Sequence, residues 1–196
     1  MRLQSQLHHP EEVGYIQGMS YLSAVLLMHT DASSGGSSDP FPAFICLANL
    51  LEQPQRVLKT LLRLDGGTTE ILLSFWNAQF SLALPRLSAH FQELGVLPQM
   101  YLIEWIFTLF AKSLPLDPVA WIWDQVLVLG DQCIFQAALG LLSLLEESFF
   151  TMNELGDVAA VLKDLSASPR VTYTRNLPVA SFFDRLLAIT GCSQRR

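Results

Sequence analysis

A chain of 196 residues, 51% apolar and only 15% charged, is long enough to bury the core of one domain or of two tightly joined subdomains. So few charges imply a chain that is unusually well buried, associated with a partner, or cut from something larger. The net charge of −6, with Lys and Arg scattered and only Arg195 and Arg196 adjacent, argues against a nucleic-acid binder, because no basic stripe is available to neutralise phosphates.

In chain order, Leu3 and Leu7 read as the end of a helix over 2–8, and His9-Pro10-Glu11-Glu12 as a turn, since the residue before proline avoids the helical region. From about Val13 to His29 the apolar spacing is dense enough for a helix buried on most sides. Thr30 to Pro40 is a flexible surface connector by composition. A helix opening at Pro40 or Pro42 carries Phe44, Ile45, Leu47, Leu50 and Leu51 and stops near Gln53-Pro54. Pro54 suits the first turn of the next helix, whose apolar face is Val57, Leu58, Leu61 and Leu62.

Asp65-Gly66-Gly67 reads as a break, with Thr68 or Thr69 capping a helix that reaches about Leu94. Leu72, Phe75, Trp76, Phe80, Leu84, Leu87 and Phe91 recur there at three- and four-residue spacing, Pro85 predicts a kink or restart, and Gly95 a C-cap. Met100 to Ala111 is apolar around its circumference except at Glu104 and Thr108, so it is predicted to be a central helix covered on all sides. Glu104 needs a partner if buried; Lys112 is within sequence reach but off the same helical face. Pro118 is placed in the first turn of a helix capped by Asp117 and ended by Gly130; Asp131 caps the following one. Met152 to Leu165 is a further helix, then a loop over 166–169 and a last short helix over about 179–189. No strand alternation persists, so the fold class is all-α.

The histidines show no metal-ligand spacing and read as surface or satisfied side chains. Cys46, Cys133 and Cys192 are dispersed, without a CxxC pair, as buried free thiols of a reducing compartment would be. No signal peptide is recognisable, and apolar runs are broken before the ~20 residues of a membrane span, so the expectation is cytoplasmic. Phosphate loops and a Gly-x-Ser-x-Gly elbow are absent, and the acidic pairs Glu11-Glu12 and Glu146-Glu147 are adjacent, so each points to two helix faces.

One run is poorly explained by packing: Val13-Gly14-Tyr15-Ile16-Gln17-Gly18-Met19-Ser20-Tyr21. Gly18 lets a backbone or ligand approach, at about 1 kcal/mol against alanine in a helix. Gln17 carries a neutral amide with donor and acceptor, able to orient a water without taking its proton. The same residues also fit a short polar interruption of a buried helix, with Gln17 satisfying a backbone group.

This run resembles the glycine-tyrosine-x-glutamine-glycine-methionine motif of the TBC-domain family, GTPase-activating proteins for Rab GTPases. Tyr101 to Phe110, Ser113-Leu114-Pro115-Leu116 and Val119-Ala120-Trp121-Ile122-Trp123-Asp124 resemble later landmarks of that domain, in the same order. The resemblance covers about residues 2–165 and implies an N-terminally truncated TBC domain. Its parts would be the remainder of a first subdomain (1–94), a second subdomain (95–165) and a helical extension (166–196).

It further implies Gln17 as the water-positioning finger inserted into the GTPase site. Gly14, Tyr15, Gly18 and Met19 would support the motif and contact the Rab. No cofactor is implied, because GTP and magnesium belong to the GTPase. The implied partner is a Rab-family small GTPase, with membranes reached only indirectly, in vesicle trafficking. The chain departs from the family at two places. The isoleucine-x-x-aspartate-x-x-arginine segment that carries the arginine finger has no match, Arg2 lacking both context and spacing, and Trp121 stands where an arginine is usual. Weak or lost activation is therefore expected; the alternatives are an inert TBC-like scaffold for a GTPase or other protein, and a helical interaction domain whose glutamine motif is structural.

Overall fold

The structure, a computed structural model, describes residues 17–33, 39–52 and 66–165. The helix expected over 2–8, the turn at 9–12, the helix after Pro54 and everything expected beyond Leu165 lie outside the described residues. Eight α-helices and one 3₁₀ turn make up the regular structure described, and no strand occurs among these residues.

Helix α1 (Met19–Ser33) turns Met19, Leu22 and Val25 inward. It runs past the end expected at His29, and its C-terminal stretch is tied by side chains that bond back one turn: His29 Nδ1 to the Val25 carbonyl at 2.8 Å and Thr30 Oγ1 to that of Leu26 at 2.9 Å. Helix α2 (Phe41–Glu52) opens where the prolines predict, with Asp39 Oδ1 accepting the Phe41 N–H and the Pro40 carbonyl accepting that of Phe44. It packs against α1 through a face that includes Ala43, Leu47 and Leu50. Cys46 of α2 is exposed, contrary to the expectation of a buried thiol; Cys133 is buried as expected.

Helix α3 (Gly66–Ala83) corrects the reading of its own start. Gly66 and Gly67 do not break the chain but form the first turn, and Thr68 and Thr69 lie inside the helix rather than at its cap. Burial of Leu72, Trp76 and Phe80 on one face outweighs a glycine penalty of about 1 kcal/mol each. The restart at Pro85 is as expected: α3 stops at Ala83, Leu84 leaves the helical region at φ −133° and ψ 65°, and Pro85 opens α4 (Pro85–Leu94). Gly95 then ends α4 in the left-handed region, φ 73° and ψ 23°. Its N–H bonds the Gln92 carbonyl and the Val96 N–H that of Phe91, the paired bonds of a Schellman end.

After a 3₁₀ turn (Pro98–Met100) comes α5 (Leu102–Phe107), only six residues long. The predicted central helix to Ala111 is therefore cut short. Its end has the bonding of α4's: Leu109 N–H to the Ile106 carbonyl and Phe110 N–H to that of Trp105. Yet a leucine, at φ 43°, occupies the place of the glycine, and Phe110 follows at φ 65°.

Helix α6 (Leu116–Leu129) starts earlier than expected. Pro115 is its N-cap position and Asp117 lies in the first turn instead of capping it, favourably placed against the helix dipole. Gly130 (φ 96°) ends it, as expected. Asp131 precedes α7 (Gln132–Phe149) at the N-cap position, but with helical backbone angles and no capping hydrogen bond from its side chain. Helix α8 (Leu155–Lys163) is shorter at both ends than predicted.

An aromatic cluster joins α3, α4, α5 and α7. Trp76 stacks on Phe80, Phe91 meets Phe80, Tyr101 and Phe149 edge-on, and the Tyr101 and Trp105 rings are 5.0 Å apart. Three buried indoles each find an acceptor: Trp76 Nε1–H donates to the Tyr101 hydroxyl (3.0 Å), Trp105 to the Leu162 carbonyl (3.0 Å) and Trp123 to the Leu109 carbonyl (2.9 Å). Burial pushes the Tyr101 phenol well above its ordinary pKa, the Trp76 hydrogen bond acting weakly in the other direction, so the ring is neutral throughout the physiological range.

Candidate functional site

The described part of the glutamine motif forms the entry to α1. Gln17 is exposed, Gly18 is buried directly behind it, and Met19 is 8% exposed with its side chain in the core. Three successive residues thus place one amide outside and two groups inside. Gly14 and Tyr15, the other predicted site residues, lie outside the described residues.

The backbone at Gly18 is what turns the chain. Its φ of 117° is a conformation that residues with a Cβ rarely adopt, and its carbonyl accepts the Tyr21 N–H at 3.0 Å, opening the first turn of α1. Gly18 faces the end of α5. A methyl added to it would meet Thr108 Cγ2 at 3.5 Å, Phe107 Cβ at 3.8 Å and the Phe107 carbonyl oxygen at 3.9 Å, all ordinary contacts. Space would admit an alanine there; the backbone angle is what demands glycine.

Beside this entry, one turn along α1 from Gln17, Tyr21 is 40% exposed. Glu104 and Lys112 form an ion pair nearby, and the Tyr21 phenol contributes to the field on Lys112. An unbroken helix would set residues 104 and 112 about 12 Å apart along its axis; the turn after Phe107 folds Lys112 back onto Glu104. The hydrogen bond that the Lys112 ammonium donates to the Glu104 carboxylate is the largest influence on it and raises its pKa, desolvation opposing it. The sequence alone leaves this pair open, and it does not mark Phe107 and Thr108 as the surface behind Gly18. No local signal marks a contact between residues ninety positions apart.

Other concave or titratable features offer less chemistry. A groove of about 290 Å³ between α3 and α7 is lined by Phe75, Gln79, Leu82, Ala83, Gln132, Phe135, Gln136 and Leu139, with no ionisable group. No cluster of His, Cys, Asp or Glu that could hold a metal exists among the described residues. His90 is a structural link, its Nε2 within 3.1 Å of both the Phe149 and Met152 carbonyls. The reading of the described histidines as satisfied side chains holds for it and for His29.

A model of the Rab-GTPase-TBC domain family matches residues 3–150. TBC1 domain family member 14 of Bos taurus is 35% identical over 185 residues, which is 94% of this chain and 24% of that protein. Its Homo sapiens counterpart is 39% identical over 142 residues, 72% of this chain and 19% of that protein. In three dimensions the chain is similar to the Chlamydomonas flagellar RabGAP TBC domain, with a TM-score of 0.66 at 23% identity over 92% of this chain and 54% of that one. That likeness establishes the all-α fold.

The chain belongs to the Rab-GTPase-TBC domain family, whose members are in general GTPase activators of Rab proteins. It spans about a fifth to a quarter of the length of these curated relatives.

Proposed function

We propose that this chain contributes to a GTPase-activating domain for Rab-type small GTPases, with Gln17 inserted in trans beside the γ-phosphate to orient the attacking water. The observation that carries this reading is the exposure of Gln17 on a backbone whose next residue is buried and held at an angle only glycine accepts readily. A neutral amide so mounted meets the requirement of a positioning group, which acts by holding geometry rather than by supplying charge. Gly18 and Met19 fix the entry of α1, and Gly14 and Tyr15 of the same motif complete the surface the GTPase meets. GTP and magnesium are carried by the GTPase, and any membrane is reached through it, in vesicle trafficking in the cytoplasm and at endomembranes. No described helix is long and apolar enough to cross a membrane.

Gln17 alone brings orientation without positive charge, whereas an arginine finger in phosphoryl transfer is worth about 10³–10⁵ in rate. Weak acceleration is what these residues by themselves should give. The test is single-turnover GTP hydrolysis across a panel of Rab proteins, with the chain itself and with a chimera carrying, ahead of Met1, the matching upstream segment of the bovine relative. In the more active of the two, Gln17→Ala should lower the rate at least about tenfold, some 1.4 kcal/mol of transition-state stabilisation. An unchanged rate removes Gln17 from the mechanism, and Rab binding without acceleration in either chain leaves an inert scaffold.

A further inference from the structure

The end of α5 combines three features that the glutamine reading does not use. First, Leu109 and Phe110 are consecutive non-glycine residues in the left-handed region, in a chain that uses glycine for the equivalent end of α4. Such conformations cost about 1–2 kcal/mol each and persist only where the surroundings over-determine them. Second, the turn is over-determined. The Leu109 carbonyl accepts the Trp123 indole N–H, the Phe110 N–H reaches Trp105, and the Ser113 and Leu114 N–H groups both reach the Phe110 carbonyl. Both side chains are buried, Leu109 at 1% exposure and Phe110 at 0%. Third, the residues that lead into this strained turn, Phe107 and Thr108, are the ones Gly18 faces. Thr108 is itself fixed, its Oγ1–H donating to the Glu104 carbonyl at 2.9 Å, which turns its γ-methyl toward the glycine.

We infer that the locked turn at Thr108–Phe110 is a positioning device for Gln17: Trp123 holds the turn, the turn holds the Thr108 methyl and Phe107 under Gly18, and that seat sets where the exposed amide points. Ending α5 by a Schellman turn at Leu109 keeps a large buried side chain there, which glycine would forfeit, and stops the helix at the point where Gly18 needs a surface. Thr108 and Trp123 are positioning residues, acting only through Gln17. The inference rests on the reading of Gln17 as the water-orienting group for its consequence in catalysis; the seat itself is a property of the free protein.

The two claims are separated by measuring both the free protein and the reaction. The variants are Thr108→Ser, which keeps the hydroxyl bond and deletes the methyl under Gly18; Thr108→Val, which keeps the methyl and deletes the bond; and Trp123→Phe, which keeps the bulk of the ring and removes its N–H. Each is made alone and with Gln17→Ala. In the free chain, ¹⁵N relaxation at the backbone and side-chain amides of Gln17 should show increased motion in Thr108→Ser and Trp123→Phe, with Thr108→Val restoring the parent values. In single-turnover hydrolysis the same two loosening variants should lower the maximal rate about fivefold at unchanged half-saturating concentration. That effect should vanish when Gln17→Ala is present.

The inference is overturned if Gln17 keeps its order in folded Thr108→Ser, if valine loosens it as much as serine does, or if the rate losses persist without Gln17. Should Trp123→Phe fail to fold, the Thr108 pair alone decides. If instead Gln17→Ala leaves hydrolysis untouched while Thr108→Ser still loosens Gln17, the seat stands and the catalytic reading of Gln17 falls.

Discussion

At the residue scale, Gln17 and Gly18 divide one task between an exposed and a buried position. The proposed role of the amide needs a defined chain direction behind it, and Gly18 sets that direction with a φ of 117° that leaves the amide outside and sends Met19 inward. Gly18→Ala is therefore expected to destabilise the chain by about 1–3 kcal/mol, though the neighbouring atoms leave room for its methyl. Chemical denaturation measures that cost, and the hydrolysis assay should show a loss of rate in the variant that survives correction for the unfolded fraction. The identities at 17–19 were legible in the sequence as a candidate site. Which of the three faced solvent was not, because a dense apolar run is compatible with a polar residue pointing either way.

At the scale of elements, the ends of α4 and α5 form a natural comparison. Both close with the same pair of backbone hydrogen bonds, one around Gly95 and the other around Leu109. A Cβ added at Gly95 would touch nothing, so Gly95→Ala should cost about 1–2 kcal/mol through the backbone alone. Leu109→Gly relieves a similar strain but empties a buried leucine site worth about 2–5 kcal/mol, so its net effect is a loss of about 1–3 kcal/mol. Urea midpoints of the two variants, read against the parent, check both the sign and the order. Gly95 was recognisable as a helix end from its residue type; Leu109 was not, since nothing in an apolar run marks one leucine as left-handed. The misread start of α3 has the converse cause, glycines that look like a break being carried into a helix by the burial of Trp76 and Phe80.

At the scale of the whole molecule, the aromatic cluster ties α3, α4, α5 and α7 into the shared core. Tyr101 is its polar centre, accepting the Trp76 indole N–H while 1% exposed. Because burial raises the Tyr101 pKa in the folded state, the folded protein retains a proton that the unfolded chain releases above its ordinary value of 10.0. The contribution is fully present below about pH 10 and is lost progressively as pH rises beyond it. Tyr101→Phe should flatten that alkaline loss in thermal melts recorded from pH 8 upward. At neutral pH the same variant should cost about 1–3 kcal/mol, since it leaves the Trp76 N–H unpaired in the core.

Outside this core, large apolar side chains such as Ile71, Leu82 and Val128 stand more than two-thirds exposed. They account for part of the low surface charge evident from composition.

What the sequence determined by itself was the helical class, most helix positions, the restart at Pro85, the glycine ends at 95 and 130, and the family, through a short polar motif and ordered tryptophan landmarks. These follow from local rules: apolar periodicity, the fixed φ of proline and the freedom of glycine act within a few residues. The tertiary structure alone decided where α5 stops, how Lys112 returns to Glu104, and what lies beneath Gly18. Each of those depends on contacts between segments distant in the chain, whose packing energy exceeds the one or two kcal/mol by which local preference would have chosen otherwise.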